Sequence, residues 1–351
     1  MSRTAGVISL LLGLAALQVA CDAARPTTQH APAPPGAFPE LIHPVRIVRL
    51  HPSPESPIVR VSGLDVARDG RIAVTDGADP GAYLFGPDGR LIRRMGGDGS
   101  GPGEFRIPYS PRFGPDGRIH VFDLRHERIS VFSPDGRHER DIVVRDLLRL
   151  SDFQPEKGGT YLAAGVRTLD DPNVVFRLDA DGRLLNEFLP IGHHKPRNLR
   201  DPALLDGMRR TGFTLTGNGD TAHVVLTTAD SLWTLDLQTG AYTVTAIGVA
   251  GYVAPTTPPR GSPTVRGLTN WAKTWTSAAG VVSTGGTVVV PFVRGAWFHG
   301  DSTILAVRKP DGSWSTVEDG PLIIRGASGY FAGLKDPFAD TLEVVLYRPQ
   351  P

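Results

Sequence analysis

The chain has 351 residues, more than a single hydrophobic core usually organises, so two domains or one repeat architecture is expected. A formal net charge of +1, with no block of like charge, excludes the clustered basic footprint of a nucleic-acid binder. The one cysteine excludes an internal disulfide and a cysteine zinc site, while 41 glycines and 31 prolines suit many short strands and frequent turns.

Arg3 gives a short positive start, and Ala5 to Ala20 is almost unbroken apolar sequence. These 16 residues fall short of the ~20 that a spanning helix needs and match the apolar region of a secretory signal. The run closes as Leu17-Gln18-Val19-Ala20-Cys21, which resembles the lipobox of bacterial lipoproteins; Gln18 stands where leucine is usual, with Leu17 one residue early. The resemblance implies that residues 1–21 form a lipoprotein signal, with Cys21 lipidated and the chain tethered to a membrane of the cell envelope. Ordinary cleavage without lipidation and an uncleaved anchor are the alternatives. Residues 22–40 lack apolar periodicity and are rich in proline, alanine and threonine, so they read as a flexible spacer. Extended as polyproline II they would reach roughly 60 Å at about 3.1 Å per residue. His30 belongs to this spacer and is not a ligand candidate.

From residue 41 to 351 the sequence repeats. Val45-Arg-Ile-Val-Arg-Leu50 alternates like a strand but has no hairpin partner nearby. Arg68-Asp-Gly-Arg-Ile-Ala-Val-Thr-Asp76 and Tyr83-Leu-Phe-Gly-Pro-Asp-Gly-Arg-Leu-Ile92 follow, and both return as Gly114 to Asp123 and Arg128 to Arg137. Gly117 lies 47 residues after Gly70, and Gly136 lies 47 after Gly89. An Asp-Gly pair between alternating runs is a hairpin signal, because glycine accepts the positive φ of a tight turn. Each unit therefore reads as a four-stranded antiparallel meander. A third unit carries Lys157-Gly-Gly and Asp179-Ala-Asp-Gly; a fourth, Gly217-Asn-Gly and Leu232 to Gly240. A fifth has Ser283 to Val290 and Ile304 to Gly312, and a sixth Ala327 to Gly333 and Leu342 to Tyr347. Six such units predict an all-β, six-bladed β-propeller. The sixth has three strands, so the strand at 45–50 is expected to complete it and close the ring, which removes exposed sheet edges.

The stretch Arg94-Met-Gly-Gly-Asp-Gly-Ser-Gly-Pro-Gly-Glu-Phe-Arg-Ile-Pro108, with the strands from Arg118 to Arg137, resembles an NHL-type repeat. This resemblance covers residues 58–137 best and fades beyond 190. It implies the six-bladed propeller found among bacterial lipoproteins and specifies blades rather than chemistry.

No nucleophile elbow, P-loop, dinucleotide fingerprint or His-Glu-x-x-His helix is present. The Asp-Gly clusters read as turns rather than calcium loops, and no cofactor is implied. In a propeller, the connections between blades and the loops joining second to third strands share one channel mouth. That places Glu104, Arg106, Tyr109, Arg125, His126, Arg294, Trp297 and His299 together as ligand-binding candidates for a protein, peptide or glycan. A divalent metal would draw on His126 or His194, although solvated loop histidines are the ordinary reading. The long excursions at 190–212 and 250–280, the second with Trp271 and Trp275, interrupt the repeat where functional loops are common. These features favour a monomeric extracytoplasmic binding or scaffolding module. The rival is a metal-dependent propeller lyase or hydrolase acting at the channel mouth.

Overall fold

The computed structural model describes residues 41–350, apart from 169–170, 192–210, 216–218, 228, 255–273, 295–302, 322, 328, 337–338 and 340. The expected signal and spacer lie outside the described residues. The chain enters on β1 (Ile42–Arg49). Blade one is β2 (Val61–Val66), β3 (Ile72–Asp76), β4 (Gly81–Phe85) and β5 (Leu91–Met95). Blade two is β6 (Pro108–Phe113), β7 (Ile119–Asp123), β8 (Arg128–Phe132) and β9 (His138–Val143). Blade three is β10 (Arg149–Pro155), β11 (Tyr161–Val166), β12 (Asn173–Leu178) and β13 (Leu184–Pro190). Blade four is β14 (Thr211–Leu215), β15 (Thr221–Leu226), β16 (Ser231–Asp236) and β17 (Tyr242–Ala246). Blade five is β18 (Thr276–Ala278), β19 (Val282–Thr284), β20 (Thr287–Arg294), β21 (Thr303–Arg308) and β22 (Trp314–Val317). Blade six is β23 (Ile323–Ala327), β24 (Tyr330–Leu334) and β25 (Glu343–Pro349), with β1 outermost.

Every strand pair is antiparallel, and the first strand of each blade touches that of the next around a closed circle. The fold is a six-bladed β-propeller. β1 pairs with β25 from Ile42↔Pro349 to Arg49↔Glu343, so the strand expected to close the ring does so. The turn glycines read from the repeat, Gly70, Gly89, Gly117, Gly136, Gly182 and Gly312, have φ between +80° and +87°. Blade five departs from the expected four strands. Its innermost strand is interrupted between β18 and β19, both of which pair with β20. Pro291, in the middle of β20, has no N–H for the ladder there, and its carbonyl accepts from Ala279 N at 2.7 Å.

The apolar core is a set of layers between neighbouring blade faces rather than one cluster. Ala73, Leu84 and Met95 pack against Phe113, Ile119 and Val121 between blades one and two. Phe122 and Ile129 meet Phe153 and Phe176 between two and three. A larger layer runs from blade three through four to five, and Val289 and Leu305 meet Phe331 and Val345 between five and six. Val48, Leu50 and Val344 meet Leu64 and Val74 where the ring closes.

Gly89 sits at that closure. Its φ is +80°, and a Cβ there would lie 1.9 Å from the Arg49 carbonyl oxygen. Gly158 has φ +90° but nothing within 4 Å. Gly158→Ala should therefore cost only the left-handed backbone penalty, roughly 1–2 kcal/mol. Gly89→Ala should cost that plus displacement of β1, and melt clearly lower. Equal melting temperatures for the two variants would contradict this account of the closure.

Candidate functional site

Antiparallel alternation sorts the connections. Turns between first and second strands, and between third and fourth, lie at one end of the ring. Inter-blade connections and second-to-third loops lie at the other, the mouth. The ends of the described chain meet at the hairpin end, where Gln350 N donates to Leu41 O at 3.0 Å.

At the mouth, the aspartate ending the second strand organises the backbone. Asp123, fully buried at the end of β7, accepts from Arg106 N (2.8 Å), Ile107 N (3.2 Å), Arg125 N (2.9 Å) and His126 N (3.2 Å). Asp76 repeats this at the end of β3, accepting from Val59 N (2.5 Å), Arg60 N (3.1 Å), Ala78 N (2.8 Å) and Asp79 N (3.2 Å). In blades one and two, one buried carboxylate thus ties the segment leading into the blade to that blade's own loop. The repeated aspartate is explained by these donors, since buried N–H groups need acceptors.

The candidate residues fall into two groups. Glu104, Arg106 and Arg125 are exposed on the tied backbone of blade two, with His126 half-buried beside them. The Glu104 carboxylate accepts from Gly101 N at 2.7 Å, and Arg106 Nη1 pairs with Asp98 at 2.9 Å. His126 has both ring nitrogens engaged, Nδ1 with Asp123 Oδ2 at 2.8 Å and Nε2 with Ser100 Oγ at 3.2 Å. Tyr109 lies within β6 itself, half-buried and opposite Phe122, rather than on a loop. Arg294 stands at the end of β20 on blade five, exposed and paired with Glu318 at 3.0 Å, across the ring from blade two. His194, Trp297 and His299 lie outside the described residues, as does Trp271; Trp275 is buried. Among the described residues no three His, Cys, Asp or Glu side chains group as metal ligands.

A second constellation was not anticipated from the sequence. Asp65 on β2, Arg112 on β6, Asp152 on β10 and Arg325 on β23 come from the innermost strands of four blades. Arg112 is buried and fully bonded: Nε donates to Phe153 O (2.9 Å), Nη1 to Pro111 O (2.8 Å), and Nη2 pairs with Asp152. Arg325 stands between two carboxylates, Nε 3.9 Å from Asp65 and Nη2 3.7 Å from Asp152. Blades three and six are opposite in a ring of six, so the Arg325–Asp152 approach crosses the axis. Each of these strands carries a bulge, at 61/63, 109/111, 150/152 and 323/325, which re-aims the residues that follow. At one of them buried Ser110 takes a φ of +49°, a strained conformation for a residue with a side chain. The missed signal was positional: Asp65 and Arg112 each precede a turn glycine by five residues, and each is the one charged residue of its strand.

Burial pushes the carboxyls of Asp65 and Asp230 up to about 6. It pushes the imidazoles of His120 and His223 down to about 4; His120 Nδ1 lies 3.1 Å from the Tyr161 hydroxyl between blades two and three. A raised carboxyl contributes stability below its ordinary pKa that is lost as pH rises through about 6. A lowered histidine contributes stability above 6.5 that is lost as pH falls through about 4. Over that window the two effects oppose, and the melting temperature should change little between about pH 4.5 and 6.5. His223→Leu removes one opposing group, so its melting temperature should rise toward the acid end relative to wild type. A variant profile as flat as the wild-type one would refute the assignment.

No described protein family and no curated protein matches the chain. Solved structures do. A Bacteroides fragilis protein described as exported superposes with a TM-score of 0.63 at 10% identity, covering 89% of this chain and 96% of its own. A member of the DUF4221 family from Bacteroides vulgatus gives 0.58 at 9%, covering 89% and 99%. Virginiamycin B lyase from Staphylococcus aureus gives 0.50 at 14%, covering 85% and 83%. The likeness is one of fold.

Proposed function

We propose that the chain is an extracytoplasmic lipoprotein, monomeric and tethered through Cys21, whose propeller mouth is a binding surface for a protein, peptide or glycan. The observation that carries this reading is the display at the mouth. Buried Asp76 and Asp123 hold the connecting backbone in place, and exposed Glu104, Arg106 and Arg125 project from the part tied by Asp123. Side chains on a fixed backbone lose less entropy on binding than those on a loose loop. The likeness to a Bacteroides fragilis protein described as exported fits this location. The blades are of NHL type in this reading, which explains the repeated aspartates as a scaffold and leaves recognition to the loops.

Two measurements test it. Cys21→Ser should move the protein from the membrane to the soluble fraction and abolish labelling with a fatty acid. On peptide and glycan arrays, the wild-type protein should retain a defined ligand that Arg106→Ala/Arg125→Ala loses at unchanged melting temperature. A stoichiometric divalent metal in the purified protein, removed by mutating His126 or His194, would overturn the binding-module reading in favour of a metal-dependent enzyme.

A further inference from the structure

We propose that Ser100, His126 and Asp123 form a hydrolytic site at the mouth, with Ser100 as nucleophile and His126 as base, acting on a small carboxylic ester. Asp123 Oδ2 lies 2.8 Å from His126 Nδ1, and His126 Nε2 lies 3.2 Å from Ser100 Oγ. A hydroxyl within hydrogen-bond reach of a base, itself oriented by a third group, is the arrangement that activates a serine. The direction of both bonds follows from Asp123. Its carboxylate only accepts, as it does from four backbone amides, so Nδ1 is the donor to it. Nε2 then presents its lone pair to the Ser100 hydroxyl, which donates.

The scaffold does not require this histidine. In blade one, buried Asp76 accepts from the four corresponding amides. Yet the residue 47 before His126 is Asp79, which pairs with Arg94 at 2.9 Å. Nor does the loop that carries Ser100 depend on the serine. Gly99 N donates to Phe105 O at 3.0 Å, Gly101 N to the Glu104 carboxylate at 2.7 Å, and Arg128 Nη2 to Gly101 O at 2.6 Å. Ser100 is thus exposed on a backbone held from both sides, with its hydroxyl against the histidine. Such a backbone sets the distance from nucleophile to base before a substrate arrives.

In the first half-reaction Ser100 Oγ bonds to the ester carbonyl carbon while its proton passes to His126 Nε2. The bond from that carbon to the alkoxide oxygen then breaks, and the Nε2 proton goes to the departing alcohol. In the second half, water attacks the acyl group on Ser100 and gives a proton to Nε2. The Oγ–acyl bond breaks, and that proton returns to Oγ. The net change is ester plus water to carboxylic acid plus alcohol. The imidazolium formed on the way faces the buried carboxylate of Asp123, which positions the ring. Among the described residues nothing accepts from the Ser100 N–H, which leaves it for the oxyanion. Ser100 is open to solvent, and esters, whose alcohols leave more readily than amines, suit such a site. This activity goes beyond recognition of a protein, peptide or glycan and does not rest on it.

The test treats the full chain with a fluorophosphonate, which labels activated serines, and with methyl acetate and methyl butyrate in a pH-stat. Mass spectrometry should find the label on the Ser100 peptide, and at least one ester should turn over. Ser100→Ala should lose both signals, and His126→Gln should lower both about hundredfold or more, each at an unchanged melting temperature. Asp123→Asn should lower kcat about hundredfold or more with KM little changed, because an amide there can donate to Nδ1 and turn Nε2 into a donor. A purely structural aspartate would not single out kcat. Should His126→Gln or Asp123→Asn fail to fold, wild type and Ser100→Ala decide the question. Absence of labelling, absence of turnover, a label on another serine, or a Ser100→Ala protein that hydrolyses at the wild-type rate would each overturn the proposal. Failure of the peptide and glycan arrays leaves these readouts unchanged, since neither ester carries a peptide or a glycan.

Discussion

A chain beginning at Leu50 is expected to lose its cooperative thermal transition and to aggregate, whereas one beginning at Pro39 is expected to melt like the full chain. The first truncation removes β1, and with it Leu41, Ile42 and Val48, all buried against blade five, blade six or blade one. Burial of each such side chain contributes about 1.5–3 kcal/mol, and three together approach the ~5–15 kcal/mol that separates most folded domains from their unfolded chains. The loss is larger than that sum, because β25 then presents an unpaired edge from Glu343 to Pro349 to other molecules. Size-exclusion chromatography and melting followed by circular dichroism give the answer. A monomeric Leu50 chain with the full chain's melting temperature would show that closure by β1 does not hold the ring.

Arg112→Met is the second large effect. The substitution removes the guanidinium that lies over the Phe153 ring at 5.7 Å and pairs with Asp152. It leaves Asp152 and Asp65 facing Arg325 alone at 3.7 and 3.9 Å. Breaking a buried ion pair by removing one partner costs about 3–5 kcal/mol, mostly through the uncompensated charge. The double variant Arg112→Met/Asp152→Asn removes that charge and should recover part of the loss. Denaturant unfolding of wild type, Arg112→Met, Asp152→Asn and the double variant forms a cycle that isolates the pair. A single variant within ~0.5 kcal/mol of wild type would mean that the cluster is solvated and does not brace the ring.

The features legible in the sequence are those whose cause is local. An Asp-Gly turn carries its reason in two residues, so the 47-residue spacing announced blades one and two, and the alternation of 45–50 announced the closing strand. The aspartates at 76 and 123 were visible as repeat marks, but their meaning was not. Half of the amides they bind lie 16 and 17 residues earlier in the chain. The setting of His126 was only half legible: Asp123 lies three residues before it, but Ser100, at its other ring nitrogen, lies 26 residues away. The charge cluster was hidden for a stronger version of the same reason. Arg325 meets Asp65 and Asp152 only once the ring has closed, and no periodicity registers a contact across an axis.

The β1–β25 pairing also sets an order of events in time. Ile42–Arg49 leaves the ribosome long before its partner, Glu343–Pro349. Five blades have their own strands in hand as the chain emerges, yet the sixth waits for both ends. Contacts between such distant segments form slowly, because the whole intervening chain must be brought into place first. Ile42–Arg49 must therefore stay unpaired until Glu343–Pro349 arrive, and that interval is when proteases and chaperones have their best access to it.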